Sequence, residues 1–146
     1  MDIIQFAIKA SLAIIAGLLI GLEREFRGKH AGLKTHALVA LGASVFIIMS
    51  LEFKGAEYAD MTRVLSQVII GIGFIGAGTI MKKGKDVEGL TTAATIWCSA
   101  AAGCLAGFGY FKELVIVTAM IIFVNFVFSR IEDRLIERHK KKKKKD

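Results

Sequence analysis

The chain of 146 residues contains no proline and only two cysteines. Proline interrupts helices, so a chain without it but with 15 glycines is suited to long, closely packed helices. Cys98 and Cys104 are six residues apart in one apolar run, which places them on different faces of a helix. That spacing makes them poor partners for a disulfide or a shared metal ion, and we interpret them as small buried thiols.

Catalytic motifs are also missing from the sequence. There is no HExxH, GxSxG or Walker motif, and the serines and cysteines of the apolar runs have no histidine close to them in sequence. We therefore expect that the protein is not an enzyme and needs no cofactor. Aromatic residues do not alternate with basic ones, which disfavours nucleic-acid binding.

The chain is rich in apolar residues, at 54% of the total with a mean hydropathy of +0.56. A soluble or disordered chain of this size would not carry so many. Five apolar runs of 17 to 20 residues are each long enough for a helix that crosses a bilayer, and they lack the alternation of barrel strands. The runs are residues 3–22, 35–51, 64–81, 91–108 and 111–128. These features predict an all-α membrane protein, a bundle of five transmembrane helices.

The basic residues are distributed unevenly along the chain. The segments after the first, third and fifth runs carry 16 of the 20 lysines and arginines. By the positive-inside rule this places the N-terminus outside and the C-terminus in the cytoplasm. We predict a transmembrane domain over residues 1–129 and a short amphipathic, polybasic tail over residues 130–146.

The tail carries six consecutive lysines before its last residue, and they supply most of the net charge of +7. Lysines close to a cytoplasmic membrane surface are attracted to anionic lipids. We expect the tail to bind such lipids, the alternative being a solvated extension that only reinforces the topology. The lysines are Lys140, Lys141, Lys142, Lys143, Lys144 and Lys145.

Glycine patterns indicate close contacts between helices. Residues 71–76 form a literal GxGxxG, but they lie inside an apolar run and no acid follows about 20 residues later, so dinucleotide binding is disfavoured. We predict helix contacts here instead, because glycines let helix backbones approach closely in lipid. The glycines concerned are Gly71, Gly73, Gly76 and Gly78, together with Gly17 and Gly21 in the first run.

The fourth run carries two adjacent stripes of small side chains. One stripe has members four residues apart: Thr91, Thr95, Ser99, Gly103 and Gly107. Such a helix is predicted at the centre of the bundle. Its hydroxyl groups would form hydrogen bonds between helices, or alternatively line a polar path.

Isolated polar residues are the candidates for function in the membrane. Glu23, Arg24 and Glu25 lie where the first run meets the cytoplasm. They form either a solvated cluster or a site for a cation or a partner, in which Glu23 turns inward and pairs with a basic residue. Asp60 is well placed to cap the third helix, and we expect Asn125 to form a hydrogen bond between helices.

Several motifs in order resemble the MgtC/SapB family of bacterial membrane proteins. Residues 21–25 (GLERE) and 31–36 (AGLKTH) resemble its opening block, residues 60–63 (DMTR) and 71–80 (GIGFIGAGTI) its central signature, and residues 89–94 (GLTTAA) its third block. The resemblance extends over about residues 5–128. This sequence stops after a charged tail where the virulence-type members continue into a soluble ACT-like domain, so functions of that domain are not expected to transfer.

The resemblance implies a multi-pass protein of the bacterial inner membrane linked to magnesium homeostasis and, in intracellular pathogens, to survival inside macrophages. The best-known member is thought to restrain the proton-translocating ATP synthase. We therefore expect a homodimeric regulator that binds another membrane component, with a small cation transporter or channel as the alternative and an assembly protein as a third possibility. The candidate polar site is Glu23, Arg24, Lys34, Thr35, His36, Asp60, Arg63, Gln67, Thr91 and Thr92.

Overall fold

Five helices and one short hairpin make up the fold. The structure is a computed structural model that describes residues 2–55 and 60–142; within 132–142 it describes the side chain of Arg134 alone. The helices are α1 (Ile3–Phe26), α2 (Leu33–Leu51), α3 (Met61–Ala77), α4 (Leu90–Phe108) and α5 (Phe111–Lys142). Strands β1 (Met81–Lys83) and β2 (Asp86–Glu88) lie between α3 and α4.

Four of these helices are long and apolar enough to cross a membrane. They are α1, α2, α4 and the segment Phe111–Ile131 of α5, whereas α3 is shorter, with 17 residues. The helical membrane-protein architecture predicted from the sequence is thus confirmed in its number of helices, and four of the five reach spanning length.

The third helix lies earlier in the chain than the apolar run 64–81 predicts. Its N-terminus is fixed by Asp60, whose carboxylate accepts hydrogen bonds from the backbone N–H of Thr62 at 2.9 Å and from its hydroxyl at 2.6 Å. After Gly78 the chain leaves the helix, and the end of the predicted run becomes strand β1. The prediction that the helix extends to residue 81 is therefore wrong, because the end of this apolar run lies outside α3.

The hairpin corrects the prediction of a purely α-helical protein. β1 and β2 are antiparallel, with Met81 opposite Glu88 and Lys83 opposite Asp86. Gly84 forms the turn with a φ of +63°, a conformation that favours glycine. The backbone then approaches itself so closely that a Cβ at Gly89 would overlap the carbonyl of Thr79.

Helix α4 occupies the centre of the bundle and contacts each of the other four helices. Its buried residues pack with small and branched residues of the helices around it, in two clusters that meet along α4. One cluster contains Ala13, Ala16, Ile20, Ala40, Ala102, Ala106 and Leu114. The other contains Ala43, Ile47, Ala100 and Cys104. Of the two thiols, Cys104 is buried and Cys98 half-buried, and both are free.

Four glycines hold α1, α2 and α4 in backbone contact. A Cβ at Gly17 would lie 2.5 Å from the carbonyl oxygen of His36, and one at Gly21 would lie 2.8 Å from that of Gly32. One turn further along α2, a Cβ at Gly103 would overlap the carbonyl of Ala40. Gly107 similarly contacts α2, with 2.7 Å between its Cβ position and the carbonyl oxygen of Ser44.

The glycines of α3 do not all form the helix contacts that the sequence predicts. A Cβ at Gly71 or Gly73 would meet no atom within 4 Å, and one at Gly76 would make an ordinary contact with Ala93 at 3.5 Å. Gly78 approaches only the end of its own helix. Small residues in sequence show that close approach is possible, but the packing of this chain leaves Gly71 and Gly73 open.

Helix α5 continues without a break across residue 129 to Lys142. The predicted boundary between a transmembrane domain and a tail therefore falls inside one helix. The side chains of Lys140, Lys141 and Lys142, and all of Lys143, Lys144 and Lys145, lie outside the described residues.

Candidate functional site

A buried arginine joins the end of α1 to the start of α4. Arg24 lies in the last turn of α1 and is only 1% exposed. One of its terminal nitrogens donates to the hydroxyl of Thr92 at 3.3 Å and approaches that of Thr91 at 3.5 Å. The two threonines are in the first turn of α4, so the guanidinium connects two helices that are far apart in sequence.

Glu23 supplies negative charge beside this guanidinium. One of its carboxylate oxygens lies 2.8 Å from Nε of Arg27, and the other lies 3.8 Å from a terminal nitrogen of Arg24. Both oxygens are buried without a hydrogen bond of good geometry, so the pairing is electrostatic. A cation at the N-terminus of α4 opposes the helix dipole, and the carboxylate offsets that unfavourable interaction.

A second buried contact joins α2 to α4. Nδ1 of His36 lies 2.8 Å from the hydroxyl of Ser99, and both side chains are fully buried. Ser99 donates its single hydroxyl hydrogen to the carbonyl of Thr95 at 3.0 Å, so Nδ1 of His36 must be the donor in their shared bond. This assigns the ring tautomer and leaves Nε2 of His36 without a hydrogen bond in the described structure.

Thr95 extends the network to α5. Its hydroxyl donates to the carbonyl of Thr91 at 2.7 Å and lies 3.4 Å from the amide oxygen of Asn125. The hydroxyl stripe of α4 is therefore the element on which side chains of α1, α2 and α5 converge. We call the group Glu23, Arg24, Arg27, His36, Thr91, Thr92, Thr95, Ser99 and Asn125 the polar network.

The ten candidate residues separate into two groups at opposite ends of the bundle. Five of them, Glu23, Arg24, His36, Thr91 and Thr92, belong to the polar network. Lys34 and Thr35 lie beside His36 in the first turn of α2, the former exposed and the latter half-buried. We call this end, where α1 ends and α4 begins, the basic end.

The other three candidates lie at the start of α3 or in its first two turns, away from the basic end. Asp60 and Arg63 form an exposed ion pair at 3.8 Å. The hydrogen bonds from Thr62, more than Arg63, hold the pKa of the Asp60 carboxyl below its usual value. Gln67 is exposed on the face of α3 that borders α2. These residues cap and flank α3, and the structure does not bring them to the polar network.

The hairpin lies near the loop between α1 and α2 at the basic end, because His30 and Lys29 of that loop interact electrostatically with Glu88. Lys83 and Glu88 form an ion pair at 2.7 Å across the two strands. The hydrogen bond from Lys83 lowers the pKa of Glu88, and its electrostatic interactions with His30 and Lys29 lower it further. The hairpin therefore contributes a mostly basic, exposed surface next to the polar network.

Sequence reasoning did not foresee the contacts of three residues at this end of the bundle. Arg27 could have been found, because it lies four residues after Glu23 on the same helix. Ser99 was noted only as part of a stripe, since its partner His36 is 63 residues away. Glu25 has a structural role: its carboxylate accepts from the backbone N–H of Leu33 at 3.2 Å and caps α2, whose own N-cap residue is Gly32.

The polar network contains one carboxylate. Within the part of the chain that the structure describes, no group of three or more His, Cys, Asp or Glu side chains is arranged to hold a metal ion. Any cation bound here would rely on Glu23, whose oxygens are already paired with two arginines.

Comparison with known proteins identifies the family. Protein MgtC of Salmonella typhimurium strain LT2 is 45% identical over 123 residues, which is 84% of this chain and 52% of the relative. Protein MgtC of Brucella abortus strain 2308 is 50% identical over 113 residues, 77% of this chain and 47% of the relative. The chain spans about half the length of the curated relatives it matches.

No solved structure matches the chain. Residues 11–134, which include α2, α3 and α4, most of α1 and α5, and the whole polar network, match the MgtC family. This range and the two identities together show that the chain is a multi-pass membrane protein belonging to the MgtC family.

Proposed function

We propose that this protein is a regulator in the bacterial inner membrane, linked to magnesium homeostasis, that acts by binding another membrane component at its basic end. The partner that the family resemblance implies is the proton-translocating ATP synthase. The observation that carries the proposal is the buried Glu23–Arg24 pair, fixed to α4 through Thr92. Ionisable residues in membrane helices are costly, and proteins retain them mainly where they function.

The interior packing supports binding rather than conduction. Gly17 and Gly103 bring the backbones of α1, α2 and α4 into contact, which leaves little space between these helices. The polar side chains of the network bond to one another along α4. In this arrangement the network fixes the relative positions of the helices that carry the basic surface.

The variant Glu23→Gln tests whether this pair has a function. It removes the charge while keeping the shape, and we expect the protein to accumulate and fold but to fail in a growth assay at low magnesium. Glu113→Gln, an exposed change in the first turn of α5 at the opposite end, is the matched control and should grow normally. Normal growth of Glu23→Gln would refute the proposed role.

ATP-driven proton pumping in everted membrane vesicles tests the proposed partner. Vesicles that contain the wild-type protein should acidify more slowly than vesicles without it, and vesicles with Glu23→Gln should acidify at the rate of the protein-free control. Equal rates in all three preparations would exclude ATP synthase as the partner while leaving the growth result to be explained by another membrane component.

One observation favours a small cation transporter as the second candidate. Both oxygens of Glu23 are buried without a directed hydrogen bond, as expected of a carboxylate that could bind a cation instead. Purified protein in liposomes that enclose a magnesium-sensitive dye would then show magnesium entry that Glu23→Gln abolishes. A regulator, in contrast, shows no flux in liposomes without its partner.

The polybasic tail supports a further contact with anionic lipids. The residues after Ile131 continue the helix of α5 away from the apolar span, in the direction of the basic end. A peptide of residues 130–146 should bind phosphatidylglycerol-rich vesicles and dissociate as salt is added. Equal binding to neutral vesicles would remove this role.

A further inference from the structure

An open groove runs between α2 and α3 on the outside of the bundle. Its volume is about 520 Å³, and its lining is apolar except for one amide side chain. The residues that shape it include Leu38, Gly42, Phe46, Gln67, Gly71 and Ile75. Helix α3 packs mainly on α4, and along its whole length only Gly76 is buried.

Two glycines in this groove are not needed by the packing of the chain itself. A Cβ built at Gly42 or at Gly71 would meet nothing within 4 Å, whereas one at Gly17 or Gly103 would collide with a neighbouring backbone. Glycine disfavours helices relative to alanine. A glycine in a helix with open space around it therefore needs an explanation other than the packing of its own chain. Close approach of a further helix is such a reason, because it requires a surface without side chains.

The amide of Gln67 is the second feature of the groove, and it is independent of the glycines. Gln67 is the seventh residue of α3, about 9 Å from the helix start at a rise of 1.5 Å per residue. Its side chain is exposed and forms no hydrogen bond with any residue that the structure describes. Acyl chains cannot satisfy an amide at this depth, which requires a partner with polar groups of its own.

We infer that this groove is the contact surface between two copies of the chain. Every copy inserts into the membrane in the same orientation, so Gln67 lies at the same depth in each. A two-fold axis along the membrane normal that passes beside the groove places the two amides opposite each other. Each amide has both a donor and an acceptor, so the pair forms two reciprocal hydrogen bonds, and Gly42 and Gly71 allow the helices to approach. The inference does not depend on the proposed function.

The association constant in lipid tests this surface. The 146-residue chain with a fluorescent protein fused after residue 146 is reconstituted at decreasing protein-to-lipid ratios, and single-molecule photobleaching counts the copies in each particle. We expect the wild type to be dimeric, Gln67→Leu to dissociate at roughly 5- to 30-fold higher protein-to-lipid ratio, and Gly71→Leu to be monomeric. Both variants should keep the helical content of the wild type, since Gly71 has open space around it.

Gly73→Leu is the matched control. Gly73 is two residues away on the same helix and equally open, but it does not line the groove. This variant should be as dimeric as the wild type.

Three results would overturn the inference. A wild type that is monomeric at every protein-to-lipid ratio would mean that lipid or a different protein occupies the groove. Unchanged association of Gln67→Leu would remove the amide contact. Equal loss of the dimer in Gly73→Leu and Gly71→Leu would show that association does not use the groove; should Gly71→Leu fail to fold, Gln67→Leu alone decides.

Discussion

Replacing Gly103 by alanine tests the packing of α4 with a single methyl group. The new Cβ would overlap the carbonyl group of Ala40, whose carbonyl carbon and Cα both lie 2.8 Å from its position. These are backbone atoms of α2, so no side-chain rotation can relieve the collision. Moving α2 away from α4 would also disturb its contact with α1, because Gly17 lies against the backbone of His36 and Ala37 one turn earlier on α2.

The expected loss follows from these contacts. Overpacking a rigid site typically destabilises a protein by about 1–3 kcal/mol. Alanine is a better helix former than glycine by roughly 0.5–1 kcal/mol, which offsets part of that loss. We therefore expect Gly103→Ala to lower the free energy of unfolding by up to about 2.5 kcal/mol, and by more if α2 and α4 have to separate.

Gly73→Ala provides the comparison, since a methyl group there meets no atom within 4 Å. It should be neutral or stabilising by up to about 1 kcal/mol. Both free energies can be measured by titrating the protein from mild detergent into SDS and following helix content by circular dichroism. Equal stability of the two variants would show that α2 and α4 are not in backbone contact at Gly103, and the description of the core would be wrong.

Three further outcomes are expected. Thr92→Val removes a buried acceptor of Arg24 and should cost about 1–3 kcal/mol in the SDS titration, whereas Thr91→Val, at an exposed position, should stay within roughly 0.5 kcal/mol. Asp60→Ala should be less stable than the wild type at pH 7. Because the pKa of Asp60 is lowered in the folded protein, the stability that its carboxylate contributes is complete above its usual pKa of about 4 and is lost as the pH falls through the folded value. Below that pH the two proteins should become equally stable. A reporter enzyme fused after the last residue should be active only in the cytoplasm, and one inserted between α2 and α3 only outside; the reverse pattern would refute the orientation.

The helices and the packing of α1, α2 and α4 could be predicted because both depend on local patterns. Apolar runs of spanning length predict membrane helices, and the pairs Gly17–Gly21 and Gly103–Gly107 lie four residues apart on one helix face. The same reasoning placed Gly71 and Gly73 in helix contacts, which the packing of one chain does not show. Spacing identifies a surface without side chains, but it does not identify what covers that surface.

The polar network was only partly predictable, because its bonds join residues far apart in the sequence. Arg24 lies at the edge of an apolar run, where the neighbouring sequence looks the same whether the side chain is buried or exposed. Its partner Thr92 is 68 residues away. The hairpin was missed because Met81 continues an apolar run, although the sequence around Gly84 has the polar residues of a tight turn.

The shortness of α3 affects the lipids next to it. Its 17 residues extend about 25 Å at 1.5 Å per residue, while a typical hydrocarbon layer is about 30 Å thick. α1, with 24 residues, extends about 36 Å, so either α1 tilts or the bilayer is thinner beside α3 than beside α1. Hydrophobic mismatch of this kind costs a fraction of a kcal/mol per Å and is relieved when the short helix is covered by protein. Lipids with longer acyl chains should therefore strengthen any association through α3, and lipids with shorter chains should weaken it, so that membrane thickness itself becomes a variable that controls assembly.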